Sequence, residues 1–195
     1  MNYLLEYVNE IEKGNIIVGQ DLKTELDKLV ADLNNPKFIF DETPGQLRID
    51  FIEKFCKHTK SPFNGMPFIL ELWEKAFLQT AYGFKYASTG LRRFNEVILL
   101  IARKNGKTTF VAGIDLAEFF LSKGGVDIVC ASNTNDQASI LFEEINNMRE
   151  HSKALSKPKR SRKNIFYIYS PKNKNKIKKL SGQSRNLDGY NIEVG

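Results

Sequence analysis

The sequence predicts an α/β fold, a mainly parallel sheet flanked by helices and preceded by a small helical N-terminal region. Three observations carry this. From Phe94 onward, short Val- and Ile-rich runs alternate with stretches of helical periodicity. Before residue 62 the apolar spacing is helical only. The 195 residues are 42% hydrophobic and 27% charged, which suits a globular chain, and nowhere do about eighteen apolar residues run together to span a membrane.

Residues 2–13 place Leu4, Leu5, Val8 and Ile11 on one helical face, and Gly14 ends that helix. A second helix is predicted from Asp21 as N-cap through Leu22, Leu26, Leu29, Val30 and Leu33, stopped by Asn34-Asn35-Pro36. A third begins near Thr43 with Pro44 in its first turn, followed by Ile49, Ile52 and Phe55. The turn cluster Ser61-Pro62-Phe63-Asn64-Gly65 suggests a boundary, giving a helical region over 1–62 and a second domain over 63–195. There, residues 68–81 read as a helix with Trp73 and Phe77. Phe94–Ala102 reads as a buried strand. Gly106 opens a helix carrying Phe110, Ile114, Ala117, Phe120 and Leu121, closed by Gly124-Gly125. Val126–Ala131 is a second buried strand. Thr134 caps a helix bearing Ala138, Leu141, Phe142, Ile145 and Met148. Asn164–Tyr169 and Lys176–Leu180 read as strands around the turn 170–173, and Tyr190–Val194 as the start of another.

Composition narrows the function classes. The N-terminus is acidic and amphipathic, without the basic start and cleavage site of a signal peptide. Cys56 and Cys130 are too few and too far apart for a disulfide framework or a four-ligand zinc site, so buried reduced thiols in a cytosolic protein are expected. The net charge of +6 is localised: twelve of the 29 basic residues lie between His151 and Arg185, with no Asp or Glu among them. The rest of the chain carries 17 basic against 23 acidic residues. Such a block suits a polyanion partner, or equally a solvated Lys-rich surface.

The stretch LLIARKNGKTTFVAG, Leu99 to Gly113, joins a predicted strand to a predicted helix through a basic loop. That is where a phosphate-binding loop sits, because N–H groups at a helix N-terminus lack partners and the dipole favours an anion. Gly106 lets the backbone approach phosphates, Lys107 reaches the β- and γ-phosphates, and the Thr108 hydroxyl ligates Mg²⁺. The pattern GxxxxGK[ST] places its first glycine at position 101, where this chain has Ile101. The tripeptide GKT alone reads better as a basic helix cap; its strand-to-helix setting shifts the reading to phosphate. Trp73 and Glu74, about thirty residues upstream, could meet an adenine, although by its spacing alone Trp73 reads better as a core residue.

Taken in order, PFILELWEKAFLQTAYGF, GLRRFNEVILLIARKNGKTT, CASNTNDQASILFEEINNMREHS and LSGQSRNLDGYN resemble the N-terminal ATPase part of the large terminase subunit of tailed bacteriophages. The resemblance covers 66–195, and RKNGKT without the leading glycine is that family's habitual Walker A variant. It implies a P-loop NTPase-like domain that uses ATP and Mg²⁺ to move double-stranded DNA into a capsid, in a full-length protein that also carries a nuclease. That protein would meet a portal and a small terminase subunit in the cytoplasm of a bacterial host, with no membrane.

By the same resemblance, Arg103, Lys104, Asn105, Gly106, Lys107, Thr108 and Thr109 form the phosphate loop. Arg103 additionally opposes charge on the γ-phosphate, as an arginine finger does. Trp73 and Glu74 occupy the adenine motif. Glu74 stands where many members have Gln; it can accept from the adenine N6 amine but cannot donate to N7. Ala131–Gln137 falls on the ligand-facing edge of the sheet, and Leu187–Asn191 precedes the family's Walker B strand. The Asp-Glu pair expected after that strand is not among these residues, and Glu193 is too early for the catalytic base. Poor hydrolysis and self-association through uncovered apolar strands are therefore expected of this chain. The competing reading is a non-catalytic nucleic-acid-binding protein, or a prophage remnant, using the basic segment 153–185. A helicase ranks lower, because helicases usually keep the leading glycine.

Overall fold

A computed structural model describes residues 1–165, 167–181 and 192–194. By contacts the chain forms two interleaved compact units, Met1–Asp50 with Leu70–Leu100, and Phe51–Ile69 with Ile101–Gly195.

The first unit contains α1 (Tyr3–Glu12), α2 (Gln20–Asp32), β1 (Phe38–Phe40), the start of α3 (Thr43–Phe55), α4 (Leu72–Gly83) and β2 (Phe84–Tyr86). Asn2 caps α1, its side chain accepting from Leu5 N at 3.1 Å. The cap of α2 is Gly19, so the predicted cap Asp21 instead falls in the first turn, where its carboxylate faces the positive end of the dipole. Leu4, Tyr7, Leu26, Ala76 and Phe84 are buried together, with Phe38, Phe40, Trp73 and Phe94 packed around them. The strands β1 and β2 pair antiparallel, with Ile39 opposite Lys85. At three residues each they are too short to show an alternation in sequence.

Two expectations need correction here. The helix predicted over 68–81 starts only at Leu72, because Glu71 and Glu74 form a reciprocal capping box that sets its first turn. Phe94–Ala102 is not a buried strand. It has no ladder partner among the described residues, and Ile98 and Leu100 are 92% and 94% exposed. An apolar run supplies only the tendency to be a strand; a ladder of hydrogen bonds to a neighbour makes it one.

The second unit holds α5 (Lys107–Leu121), β3 (Asp127–Ser132), α6 (Asn135–His151), β4 (Arg162–Lys163), β5 (Tyr167–Tyr169), β6 (Lys176–Ser181) and β7 (Ile192–Val194). Its five strands run in the order β4-β5-β6-β3-β7. The sheet is mixed. β3 is parallel to both β6 and β7, while β4, β5 and β6 form antiparallel pairs. Helix α6 packs on β3, β6 and α5, and Phe110, Phe119, Phe142, Ile128, Ile145, Met148 and Ile177 are fully buried. Thr134 caps α6 as predicted, its hydroxyl accepting from Gln137 N at 3.3 Å. The predicted strand 164–169 contracts to β5, and of the predicted strand 190–194 only β7 is described; Tyr190 and Asn191 lie outside the described residues.

One buried side chain sets the sheet in place. Asn175 Nδ2 donates to the carbonyl of Phe119 at 2.9 Å, and its Oδ1 accepts from Val126 N at 3.0 Å. The end of α5, the entry to β3 and the entry to β6 thus meet at one carboxamide. Gly124 and Gly125 make this approach possible. Gly124 has φ +126, and a Cβ there would lie 2.8 Å from the Asn173 carbonyl. Gly125 N donates to that same carbonyl at 2.8 Å.

Replacing Asn175 by Ala strands a buried N–H and a buried C=O. We expect Asn175→Ala to lower unfolding stability by about 2–4 kcal/mol, read as a shift in denaturant midpoint. A second expectation concerns pH. Asp115 on α5 is buried, and desolvation, followed by repulsion from Glu118, pushes its pKa from 3.8 up to about 7. The native state therefore keeps a proton that the unfolded chain has released. This contribution is full below about pH 4 and is lost as pH rises through about 7. Burial of Glu74 acts in the same direction. Thermal stability should fall as pH rises across that window, and Asp115→Asn should flatten the fall; an unchanged slope would reject the assignment.

Candidate functional site

Helix α5 begins at Lys107 behind Gly106, an N-cap with φ +75 and ψ 0. The left-handed conformation costs glycine nothing, and nothing lies within 4 Å of where its Cβ would be. No side chain caps the first turn, and it contains no acidic residue. Phe110 N is satisfied by the Gly106 carbonyl at 2.9 Å. The preceding N–H groups, of Lys107, Thr108 and Thr109, are the donors a helix start leaves open.

Residues 103–107 are exposed, and Thr108 and Thr109 are half-buried. Arg103, Lys104 and Lys107 make no ion pair among the described residues. Cations at a helix N-terminus oppose the dipole, so three of them around an uncapped start lower its stability until an anion arrives. Lys104 itself has φ +69, a left-handed conformation costing a non-glycine residue about 1–2 kcal/mol. Such strain is a mark of ligand-binding loops.

The loop is anchored from behind by a residue that the sequence reading missed. Glu144 on α6 is 2% exposed. Its Oε1 accepts from Thr59 Oγ1 at 2.6 Å and, at the long limit of 3.5 Å, from Thr109 Oγ1. Lys60 Nζ lies 3.2 Å from its Oε2. A buried carboxylate thus holds the first turn of α5 from the side away from solvent. The available signal was a charge on an apolar face, because Glu144 stands three residues after Leu141 and four before Met148.

The rest of the predicted site divides between the two units. Trp73 and Glu74 lie on α4 in the first unit. Trp73 is half-buried and packs against the core there. Glu74 is buried, and its Oε2 accepts from Glu71 N at 2.8 Å, so one carboxyl oxygen is engaged in starting the helix. Burial raises its pKa to about 7. Ala131–Gln137 runs from the end of β3 into α6, where Ser132 Oγ donates to Gln137 Oε1 at 2.9 Å. Since α5 ends where β3 begins, its N-terminus points toward this same C-terminal edge of the parallel strands, the edge at which α/β sheets bind ligands. Leu187–Asn191 lies outside the described residues.

Among the described residues no group of three or more His, Cys, Asp or Glu is placed to hold a metal ion, and no helix is long and apolar enough to cross a membrane. Cys56 and Cys130 are buried free thiols. Desolvation raises both pKa values, that of Cys56 to about 12.

A glycine-capped helix behind a basic loop, on the C-terminal edge of an α/β sheet, defines a P-loop-like ATPase fold. The family model for the terminase large subunit, ATPase domain, matches residues 72–194. The large terminase subunit of Enterobacteria phage HK97 is 36% identical over 102 residues, which is 51% of this chain and 19% of that protein. The crystal structure of the HK97 bacteriophage large terminase superposes with a TM-score of 0.61 at 27% identity, over 74% of this chain and 29% of that one. The chain belongs to the terminase large subunit ATPase domain family, and it matches about a fifth of the length of its HK97 relative.

If Glu144 anchors α5, Glu144→Ala should cost about 2–3 kcal/mol of stability, as for a hydrogen-bonded buried charge. Glu144→Gln, which still accepts from Thr59, should cost clearly less. Equal losses in chemical denaturation would deny the anchor its acceptor role.

Proposed function

We propose that this chain is the nucleotide-binding ATPase part of a DNA-packaging terminase large subunit, binding Mg-ATP through RKNGKT. The observation that carries this reading is the start of α5, uncapped by any side chain and surrounded by three cations without carboxylate partners. In this reading the Gly106 backbone approaches the phosphates and Lys107 meets the β- and γ-phosphates. Arg103 opposes charge on the γ-phosphate, and Lys104, Asn105 and Thr109 complete the loop. A Mg²⁺ ion on the Thr108 hydroxyl and the phosphates would supply further charge neutralisation. Trp73 stacks on the adenine, and Glu74 accepts from its N6 amine. The region 1–62 serves as a helical lead-in to the ATPase domain at 63–195. In the full-length protein the cycle drives double-stranded DNA with the portal and small terminase subunit, in the host cytoplasm.

Lys107→Ala should weaken Mg-ATP binding by about 100-fold, the worth of a lost charge-assisted contact of roughly 3 kcal/mol, with an unchanged circular dichroism spectrum. Calorimetric titration measures it, and unaltered affinity would reject the loop assignment. Trp73→Ala provides a separate test of the base. It should weaken ATP while leaving inorganic triphosphate unaffected; an equal effect on both would return Trp73 to a purely structural role.

A further inference from the structure

The structure divides the cations of the basic segment into two groups. Several are satisfied within the second unit. Lys163 pairs with Glu143 at 2.8 Å and Lys178 with Asp127 at 3.0 Å. Lys179 Nζ donates to Ser139 Oγ at 2.9 Å. Lys174 and Lys176 lie over the rings of Tyr169 and Tyr167. Lys159, Arg160 and Lys172 are different. Like Lys153 and Lys157, they are exposed and have no carboxylate or ring partner among the described residues. These same three border one cavity of about 230 Å³, completed by Phe120, Ser170 and Asn173.

This cavity is distinct from the phosphate loop. Phe120 lies at the far end of α5 from Lys107, about 20 Å along the axis at 1.5 Å per residue. The turn bearing Ser170 and Asn173 leads into β6, so the cavity flanks the N-terminal ends of the parallel strands. Its wall is held in place. Asn173 N donates to Ser170 Oγ at 3.2 Å, and the Asn173 carbonyl accepts from Gly125 N.

We propose that this cavity is a second anion site, which holds a backbone phosphate of a DNA duplex. Two ammonium groups, a guanidinium, a hydroxyl and a carboxamide are the donor types that contact phosphate oxygens in protein–DNA interfaces. The volume is below the roughly 300–1,000 Å³ of pockets that enclose a whole small ligand, so it suits one phosphate of a strand that continues outside. The choice of DNA among polyanions rests on the packaging reading above; the anion site itself rests on the cavity.

The test is fluorescence anisotropy of a labelled DNA duplex with the 195-residue chain across a salt series. Lys159→Gln, Arg160→Gln and Lys172→Gln are compared with Lys153→Gln and Lys157→Gln, which remove the same charge outside the cavity. Each cavity variant should weaken binding about 3–10-fold. The triple variant should lower the slope of log affinity against log salt by about 0.9, the loss of one phosphate contact. The control variants should change far less. Equal losses in both sets, or no measurable duplex binding, overturn the proposal. So does binding of inorganic phosphate at Ser170 and Asn173, seen by NMR shifts, when no duplex binds. Lys107→Ala should leave DNA binding intact, so failure of the nucleotide reading and failure of this one give different results.

Discussion

Much of the second unit depends on one carboxamide. Asn175 bonds the last turn of α5 on one side and the entry to β3 on the other, from a position at the entry to β6. These two bonds bring together segments 56 and 49 residues away in sequence. With those entries fixed, β3 and β6 pair in register from Asp127 opposite Lys176 to Ser132 opposite Ser181. A buried amide with both ends satisfied acts as a locating pin, since any slip strands polar groups in an apolar surrounding.

The rigid end of α5 contrasts with its other end. At Gly106 the helix presents open donors, positive side chains and a left-handed Lys104. Each of these lowers stability without an anion and gains from one. The scaffold tolerates the arrangement because α5 is fully buried along Phe110, Ala112, Leu116, Ala117 and Phe119. Apolar burial at about 25 cal/mol per Å² outweighs a few kcal/mol of local frustration. Glu144 adds a polar tie at the first turn, so the loop is open to solvent in front and held from behind.

Buried acids serve different ends in this chain. Glu144 is bound by two hydroxyls and an ammonium. Glu74 begins a helix. Asp115, beside Glu118 and shielded from water, is pushed toward its neutral form. What separates their roles is the set of hydrogen-bond donors each has in reach.

The helices were legible in the sequence because a helix declares itself through consecutive residues. The periodicities of 107–121 and 135–151 and the Thr134 cap all lie within a few residues of what they control, although α5 ends at the extended Ser122, ahead of the Gly124-Gly125 pair expected to stop it. The helix start behind Gly106 was legible for the same reason: GKT and the helix it opens are contiguous. Strand partnership was not. Phe94–Ala102 has the composition of a buried strand yet no ladder partner among the described residues, whereas β1 and β2, three residues each, found one another. Nor was Glu144 legible as an anchor, since Thr59 lies 85 residues away. The sequence also showed where positive charge accumulates, but only the tertiary structure decided which lysines are neutralised on the sheet and which surround a cavity. Local propensity acts through neighbours in the chain, while pairing, burial and charge compensation act through neighbours in space.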